Sequence, residues 1–201
     1  MKKILVFVLI GFVIGAVGYY WIGKINVAGQ TASVQDEQKV TVTPITQTPI
    51  LTAKPAEPVE VSIPTIGISA TIENVGLDNE SRMDVPKDDY NVAWYELGVK
   101  PGEVGSAVFA GHFDTRAGTP AVFYELESIK IGDSIIVTDG NNKELTFVVR
   151  DIQIFSDAEF PIAEVFGNQG KKLLNLITCN GTYDRTAQNY SDRVVVFSEL
   201  I

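Results

Sequence analysis

The sequence predicts an all-β domain, either a barrel or a sandwich, preceded by one N-terminal transmembrane helix. The all-β prediction depends on seven short apolar runs after residue 58, most of them separated by turn-forming residues, a pattern typical of β-barrels and sandwiches. The transmembrane prediction depends on residues 4–23, twenty uncharged and mostly apolar positions that match the length of a bilayer-spanning helix. A chain of 201 residues accommodates one such domain with its N-terminal extension.

Residues 1–23 are interpreted as a signal anchor. Lys2 and Lys3 precede the apolar run and favour an N-terminus on the inside of the membrane, while the aromatic residues 19–21 fall at the level of the outer interface. A cleaved signal peptide is the alternative, but the run is longer than the roughly 7 to 15 apolar residues of such peptides. The prediction is a single-pass protein of the cell membrane whose following domain is extracytoplasmic.

Residues 24–58 are predicted to be a flexible linker. They are rich in glutamine, threonine, valine and alanine, contain four prolines, and show neither helical nor strand periodicity. As a flexible coil the segment spans roughly 30 to 35 Å, so the domain can stand away from the membrane. The alternative is an edge strand at 40–42, which Pro44 disfavours because proline lacks a backbone N–H.

The C-terminal domain, residues 59–201, contains all of the predicted strands. Within 144–155 the apolar residues change from odd to even positions, which predicts a β-bulge near Arg150 and Asp151. A short helical turn is expected at 162–166, and no long parallel crossover is expected. The predicted strands are 59–63, 68–75, 106–110, 134–138, 144–155, 172–178 and 193–199.

The only cysteine and the only histidine of the chain both follow apolar strands. Cys179 comes at the end of one predicted strand, where Asn180 and Gly181 are expected to form a turn that exposes the sulfur. His112 follows another strand after a glycine, and Arg193 opens the last strand, 14 positions after the cysteine. If these three strand ends converge, they form a site made of a thiol, an imidazole and a guanidinium.

These residues resemble the motifs of the sortase family. The likeness covers residues 58–201 and is carried by Leu176–Cys179, Ala110–His112 and Arg193. Many sortases have a threonine where this chain has Asn175. A further set of residues resembles the class D to F branches, with class F preferred: Ile63-Pro64, Val85-Pro86, Trp94-Tyr95, Pro101-Gly102-Glu103 and Gly105.

The resemblance implies a closed β-barrel of about seven to eight strands and a membrane-anchored cysteine transpeptidase. Such an enzyme cleaves an LPXTG-type sorting signal through a thioester, here on Cys179, and transfers the acyl group to an amine acceptor. The implied partners are secreted proteins with a C-terminal sorting signal, and an amine of a cell-wall precursor or of a pilin lysine.

The three residue types suit acyl transfer. A thiol attacks as the thiolate, so Cys179 needs a neighbouring base or cation. His112 can protonate a leaving amine and deprotonate an incoming one, because its reference pKa lies near working pH. Arg193 stays charged and can hold a substrate carbonyl or stabilise the oxyanion, with Thr178 and Asn180 as further candidates for oxyanion support.

A non-catalytic reading of the same residues is the alternative. Cys179 would then be a core thiol, His112 a surface histidine, and Arg193 would pair with Asp192 or Glu199. The protein would be a membrane-tethered β-domain that binds peptide or cell-wall material. Rapid pH-dependent alkylation of the cysteine would favour the enzyme over this binding module.

Other thiol peptidases fit less well. A papain-like enzyme needs the cysteine before the histidine, whereas His112 precedes Cys179 by 67 residues. A caspase needs Gln-Ala-Cys, and this chain has Ile-Thr-Cys at 177–179. The order and local sequence therefore exclude both classes.

No cofactor, metal or nucleic acid is expected. With one histidine and one cysteine, the chain has no zinc cluster, and it contains no phosphate-binding glycine loop. The acidic residues Glu103, Asp157 and Glu159 are candidates for a sortase-type calcium site but are interpreted as solvated loop charges. Residues 59–201 carry 11 lysine and arginine residues against 22 aspartate and glutamate residues, a net charge of −11 that disfavours nucleic acid. That negative field can attract an amine acceptor, although a plain solubilising surface is the preferred explanation.

Overall fold

Residues 54–201 form a closed barrel of eight strands, and the all-β barrel is confirmed. The computed structural model describes these residues, so the predicted anchor at 1–23 and the linker residues 24–53 lie outside the described residues. The strands are β1 (Pro58–Ile63), β2 (Ile68–Val75), β3 (Val92–Tyr95), β4 (Gly105–Ala110), β5 (Ser134–Asp139), β6 (Glu144–Ser156), β7 (Lys172–Asp184) and β8 (Asn189–Leu200). Around the barrel their order is β1-β2-β3-β4-β7-β8-β6-β5, and β5 closes the barrel on β1.

Short helical segments connect some of the strands. The helix α1 (Ile162–Phe166) lies where the sequence predicts a helical turn. Single 3-10 turns lie at Pro64–Ile66, Leu126–Ser128 and Asp157–Glu159. Among residues 54–201, none of the helices has the length and apolar character that crossing a membrane requires.

The absence of long parallel crossovers was a wrong expectation. Strands β2 and β3 are parallel, and so are β4 and β7. The chain from β4 to β7 passes through the antiparallel β5–β6 pair instead of one long helix, so no helical periodicity marks the crossover in the sequence. Strand β3 was also missed, because it has only four residues and all of them are apolar or aromatic without alternation.

The bulge predicted in β6 is confirmed. The pairing of β6 with β8 shifts register between Val149 and Asp151. Before the shift, Phe147 and Val149 are buried in the barrel, and after it Ile152 packs against the same interior. The extra residue thus restores the inward direction of the apolar side chains along a long strand.

The hairpin of β7 and β8 is longer than predicted. Antiparallel pairing continues to Asp184 opposite Asn189, whereas the sequence indicated a strand end at 178 and a strand start at 193. The additional residues are mostly polar and exposed, so apolar periodicity could not reveal them.

Two apolar clusters stabilise the barrel. The interior cluster takes side chains from all eight strands, and its largest members include Trp94, Phe109 and Phe147. Burial of one such side chain contributes about 1.5 to 3 kcal/mol. The second cluster, called the outer cluster below, centres on Val108 of β4, Val195 of β8 and Val165 of α1.

Two hydrogen bonds fasten α1 over the outer cluster. The side-chain amide of Asn175 in β7 donates to the Val165 carbonyl at 2.7 Å, and the hydroxyl of Ser106 in β4 donates to the Gly167 carbonyl at 2.8 Å. Asn175 is fully buried, so its amide has a structural task at the position where many sortases have threonine. These bonds fix one wall beside the predicted site.

Candidate active site

The predicted residues His112, Cys179 and Arg193 lie on or just after strands that are neighbours in the barrel. Cys179 of β7 pairs directly with Arg193 of β8. His112 follows β4, which runs parallel to β7 with Ala110 opposite Ile177. His112 and Cys179 each lie two residues beyond this last pair. The three residues are therefore held by adjoining segments, β8, β7 and the stretch that follows β4, and they are called the row below.

The row lies on the outer face of the barrel wall. Side chains alternate between the two faces of a strand, so Cys179 shares the face of Ile177, and Arg193 shares the face of Val195. Ile177 and Val195 both belong to the outer cluster or pack against it. The reactive groups therefore stand at the margin of an apolar surface.

Two hydrogen bonds join the start of the His112 segment to β7. The Gly111 amide donates to the Ile177 carbonyl at 3.1 Å, and the Thr178 hydroxyl donates to the Gly111 carbonyl at 2.9 Å. Thr178 is only 3% exposed, and its single hydroxyl proton is already committed. In this structure the residue positions the backbone that leads to His112, and oxyanion support from Thr178 stays a prediction.

Glycine is required at 111 by close packing. A Cβ atom there would lie 2.5 Å from Cδ2 of Phe123 and 2.8 Å from Cγ1 of Val122, closer than real Cβ contacts. The Phe123 amide also donates to the His112 carbonyl at 2.9 Å. The Ala-Gly-His motif thus lets the segment after the histidine fold back tightly against it.

The imidazole of His112 is half-buried, and its Nε2 contacts the connection between β2 and β3. This nitrogen lies 3.1 Å from the carbonyl oxygen of Pro86. The contact comes from the connection between β2 and β3, which the sequence did not associate with the histidine's orientation.

The environment of Cys179 holds its thiol in the protonated form. The side chain is half-buried, and this burial is the main cause that raises the pKa of the Cys179 thiol above its ordinary value. The guanidinium of Arg193 lowers that pKa, whereas the carboxylates of Asp114 and Asp157 raise it. At neutral pH the resting side chain is therefore a thiol, and attack on a carbonyl needs a base to take its proton.

Arg193 is fixed by a network that the sequence did not reveal. Its Nη1 donates to the carbonyls of Tyr190 and Asp192 at 3.0 and 2.9 Å. Its Nη2 donates to Oδ1 of Asn189 at 2.7 Å and lies 2.9 Å from Oδ1 of Asp157. The carboxylate that pairs with Arg193 is that of Asp157, whereas the sequence suggested Asp192 or Glu199.

Asn189 closes this network into a ring. Its Nδ2 donates to the second oxygen of Asp157 at 3.0 Å, while its Oδ1 accepts from Arg193. The Arg193 side chain is 17% exposed and the Asp157 side chain 51%. The guanidinium is therefore held in one orientation beside Cys179, and Asp157 is its solvent-facing partner.

The expected turn at Asn180 and Gly181 is wrong. Strand β7 continues through both residues, with a register shift in its pairing to β8 between Asn180 and Tyr183. Gly181 has φ +83, and a Cβ atom there would collide with Ser191 and Asp192. A β-bulge, which glycine permits, takes the place of the turn.

The side chain of Asn180 is engaged within the protein. Its Oδ1 accepts from the Gly181 amide at 2.6 Å, and its Nδ2 lies 3.4 Å from a carboxylate oxygen of Glu127. The second contact is long and exposed, so Nδ2 can exchange it for a substrate oxygen. Oxyanion support from Asn180 stays a prediction.

A tyrosine and an aspartate link the His112 segment to β8. The Tyr190 hydroxyl donates to the Asp114 carboxylate at 2.6 Å. Burial, followed by this hydrogen bond, raises the pKa of Tyr190 to about 12. Phe113 lies against both Tyr190 and Tyr124, with ring centroids 5.8 and 4.8 Å apart. The rings of Phe113, Tyr124 and Tyr190 thus pack together beside the segment that carries His112.

Sequence reasoning missed Asn189, Tyr190 and Asp114, and it placed Asp157 among the calcium candidates. None of them belongs to a motif: Asn189 and Tyr190 reach the cysteine through the β7–β8 hairpin, whereas Asp114 follows His112 and Asp157 follows β6. Their polar character between two apolar runs was the available signal. Within residues 54–201, no group of three or more histidine, cysteine or acidic side chains is arranged to hold a metal ion.

Comparison with known proteins is informative at the level of the family. A family model described as the sortase domain matches residues 61–201, which is most of the chain. None of the curated proteins compared with the chain matches it. The matched range includes half of β1 and all of β2 to β8, and with them the whole row of candidate residues.

Solved structures of sortases are similar in fold. Sortase A from Corynebacterium diphtheriae, in a lid mutant, is 22% identical, with 75% of this chain and 73% of that chain covered and a TM-score of 0.57. Sortase C1 from Streptococcus agalactiae is 20% identical, with 71% and 66% covered and a TM-score of 0.55. Sortase C-1 from Actinomyces oris is 23% identical, with 71% of each chain covered and a TM-score of 0.54. At these identities the likeness shows the fold.

Proposed function

This chain belongs to the sortase family, whose members are cysteine transpeptidases, and we propose that it cleaves an LPXTG-type sorting signal through a thioester on Cys179. The acyl group then passes to an amine of a cell-wall precursor or of a pilin lysine. The observation that carries this proposal is the row of His112, Cys179 and Arg193 on adjoining strands. A base, a nucleophile and a fixed positive charge are the groups that acyl transfer uses.

In the first half-reaction His112 takes the proton of the Cys179 thiol, and the sulfur attacks the scissile carbonyl carbon. The tetrahedral oxyanion is stabilised by the positive charge of Arg193, whose Nη1 and Nη2 already donate within the protein, and by backbone N–H groups. The C–N bond then breaks, His112 gives its proton to the leaving amine, and a thioester remains on the sulfur. The raised thiol pKa makes this proton transfer a necessary part of the step.

In the second half-reaction an acceptor amine attacks the thioester carbon. A new C–N bond forms, the C–S bond breaks, and His112 accepts the proton that the amine loses. The proton then returns to the sulfur, so the resting thiol and the neutral imidazole are restored. One residue thus exchanges protons in both halves.

The apolar surface beside the row supports a peptide substrate with large apolar side chains. Phe155 of β6 pairs with Arg193, and its ring lies 6.4 Å from that of Phe160. Both rings pack against the outer cluster. An extended segment such as a sorting signal can place an apolar side chain there while its carbonyl faces the cysteine.

Membrane anchoring and class are further parts of the proposal. The apolar run at 4–23 behind two lysines supports a single-pass protein of the cell membrane with an extracytoplasmic catalytic domain. Residue pairs such as Ile63-Pro64 and Val85-Pro86 support a class D to F sortase, with class F preferred.

The test of the proposed function is mass spectrometry of products made from a panel of LPXTG-type peptides, each with candidate amines. We expect a truncated peptide joined to the amine, and none from the Cys179→Ala variant. Comparison of its peptide and amine preferences with those of class A, C and F sortases on the same panel tests the class. Absence of any cleaved peptide across the panel would contradict the substrate assignment.

A further inference from the structure

The hydrogen bond between His112 and Pro86 determines which ring nitrogen can act as the base. Nε2 lies 3.1 Å from the Pro86 carbonyl oxygen. A carbonyl oxygen only accepts hydrogen bonds, so this contact requires the proton on Nε2. In the neutral ring the lone pair then resides on Nδ1. The contact thus selects one of the two tautomers.

The segment that carries Pro86 has no regular secondary structure and must be positioned by other contacts. Residues 84–91 form the second part of the connection from β2 to β3 and lie outside any strand or helix. The carboxylate of Glu73 in β2 accepts hydrogen bonds from the amides of Lys87 and Asp88 at 3.0 and 3.2 Å. It also accepts from Nδ2 of Asn91 at 2.9 Å. One side chain of the barrel wall therefore holds this segment at three points.

The bond to Lys87 acts on Pro86 directly. The Pro86 carbonyl and the Lys87 N–H belong to the same peptide unit, which is planar and trans. Their dipoles point in opposite directions, so an N–H directed at Glu73 aims the carbonyl away from Glu73, toward the His112 ring. Rotation of this one peptide unit would break both hydrogen bonds together.

Glu73 is suited to this task because it stays ionised. The hydrogen bond from the Lys87 amide, followed by that from the Asn91 side chain, lowers the pKa of Glu73. Bonds to a carboxylate are about twice as strong as those between neutral groups. Glu73 itself is fixed in β2 opposite Ala93 of β3.

We propose that Glu73 is a positioning residue: through the Pro86–Lys87 peptide unit it holds His112 in the Nε2–H tautomer and leaves Nδ1 as the base. The catalytic consequence rests on the proposed function. The tautomer and its dependence on Glu73 are independent of the proposed function.

The experiment is ¹⁵N NMR of the full chain labelled on histidine, in which the single histidine makes every ring signal unambiguous. In the wild type we expect the neutral ring to show a protonated Nε2 and an unprotonated Nδ1. In Glu73→Gln, whose amide offers only one acceptor oxygen, we expect a mixture of both tautomers. Lys87→Pro removes the N–H that donates to Glu73 and should shift the tautomer in the same way.

Kinetics with one synthetic LPXTG peptide and hydroxylamine as acceptor add the catalytic readout. We expect Glu73→Gln to lower kcat about tenfold, a part of the 10² to 10⁴ that a positioned acid–base contributes, with KM changed less than about twofold. The matched control is Asp133→Asn, the same loss of charge in a carboxylate that accepts from Lys130 and Thr65. This control should keep the wild-type tautomer and kcat.

Two results would overturn the proposal. One is a wild-type ring protonated on Nδ1, and the other is an unchanged tautomer in both Glu73→Gln and Lys87→Pro. If the wild type cleaves no sorting peptide, the proposed function fails, while the NMR signals still decide the tautomer and the role of Glu73.

Discussion

Cys179 and Arg193 are direct partners across β7 and β8, and the charge of the guanidinium lowers the pKa of the thiol. Burial raises the thiol pKa, and the guanidinium opposes this effect without cancelling it. The sequence could identify both residues, since each is the end of a recognisable pattern. It could not supply the contacts of Arg193, because Asn189 and Asp157 lie in segments that become neighbours only through the barrel.

The thiol environment changes the prediction for alkylation: because the thiol pKa is raised, rapid labelling near neutral pH no longer separates the enzyme from the binding module. The rate of iodoacetamide labelling of Cys179 should be below that of a free cysteine at neutral pH and should keep rising above the reference thiol pKa of about 8.5. The reason is that the folded protein raises the pKa of this thiol, so the thiolate appears only at higher pH. A labelling midpoint below that reference value would contradict this account of the resting state.

Arg193 and Arg185 provide a matched pair of arginine variants after the nucleophile. Arg193→Ala should lower turnover on the order of 10² to 10³, the scale for removing one oxyanion donor, and Arg193→Lys should recover part of the loss because it keeps the charge without the planar fork. Arg185→Ala should stay near wild type, since Arg185 is exposed in the hairpin loop. Steady-state rates that collapse for Arg185→Ala instead would show that the wrong arginine was chosen.

At the scale of elements, the β7–β8 hairpin and the Asp157–Glu159 turn determine how the site is held. Most strands carry a run of apolar residues bounded by turn-forming residues, and therefore the sequence predicts them, including the bulge after Val149. The outer hairpin carries polar residues that pair across the strands, and short β3 has no alternation, so neither feature has a periodic signal. Long-range pairing, which local patterns cannot encode, therefore contributed the part of the site that sequence reasoning missed.

The turn at Asp157–Glu159 offers a second matched pair of variants. Asp157→Asn should lower the labelling midpoint of Cys179, because it removes a carboxylate that raises the thiol pKa and pairs with Arg193. Glu159→Gln removes the same charge from the same turn, but Glu159 contacts Ser156 instead of Arg193. Its midpoint should remain at the wild-type value. Equal shifts in both variants would indicate a general charge effect and contradict a specific role for the ring of Arg193, Asn189 and Asp157.

At the scale of the whole molecule, an acidic barrel is proposed to stand on a membrane anchor. The barrel includes residues just before β1, since the Gly140 amide donates to the Glu57 carbonyl at 2.9 Å and Lys54 pairs with Glu103. The net charge of −11 over residues 59–201 keeps such a domain soluble by itself. The proposed attachment of this domain to the membrane then depends on the N-terminal apolar run.

Membrane attachment is tested by fractionation of cells that produce the full chain. The full chain should sediment with membranes, and a shortened chain that begins at Lys54 should be soluble and active on short peptides. Recovery of a native N-terminus within residues 24–58 would contradict the anchor and indicate a released enzyme.

Trapping of the acyl-enzyme tests the central claim most directly. The full chain is incubated with an LPXTG peptide, quenched in acid and digested, and the cysteine peptide is weighed by mass spectrometry. The account predicts an acyl group in thioester linkage on Cys179 that an added amine discharges, and no adduct in Cys179→Ala, which should keep the wild-type unfolding temperature. Product release by Cys179→Ala at the wild-type rate, without any adduct on the wild-type cysteine, would contradict it.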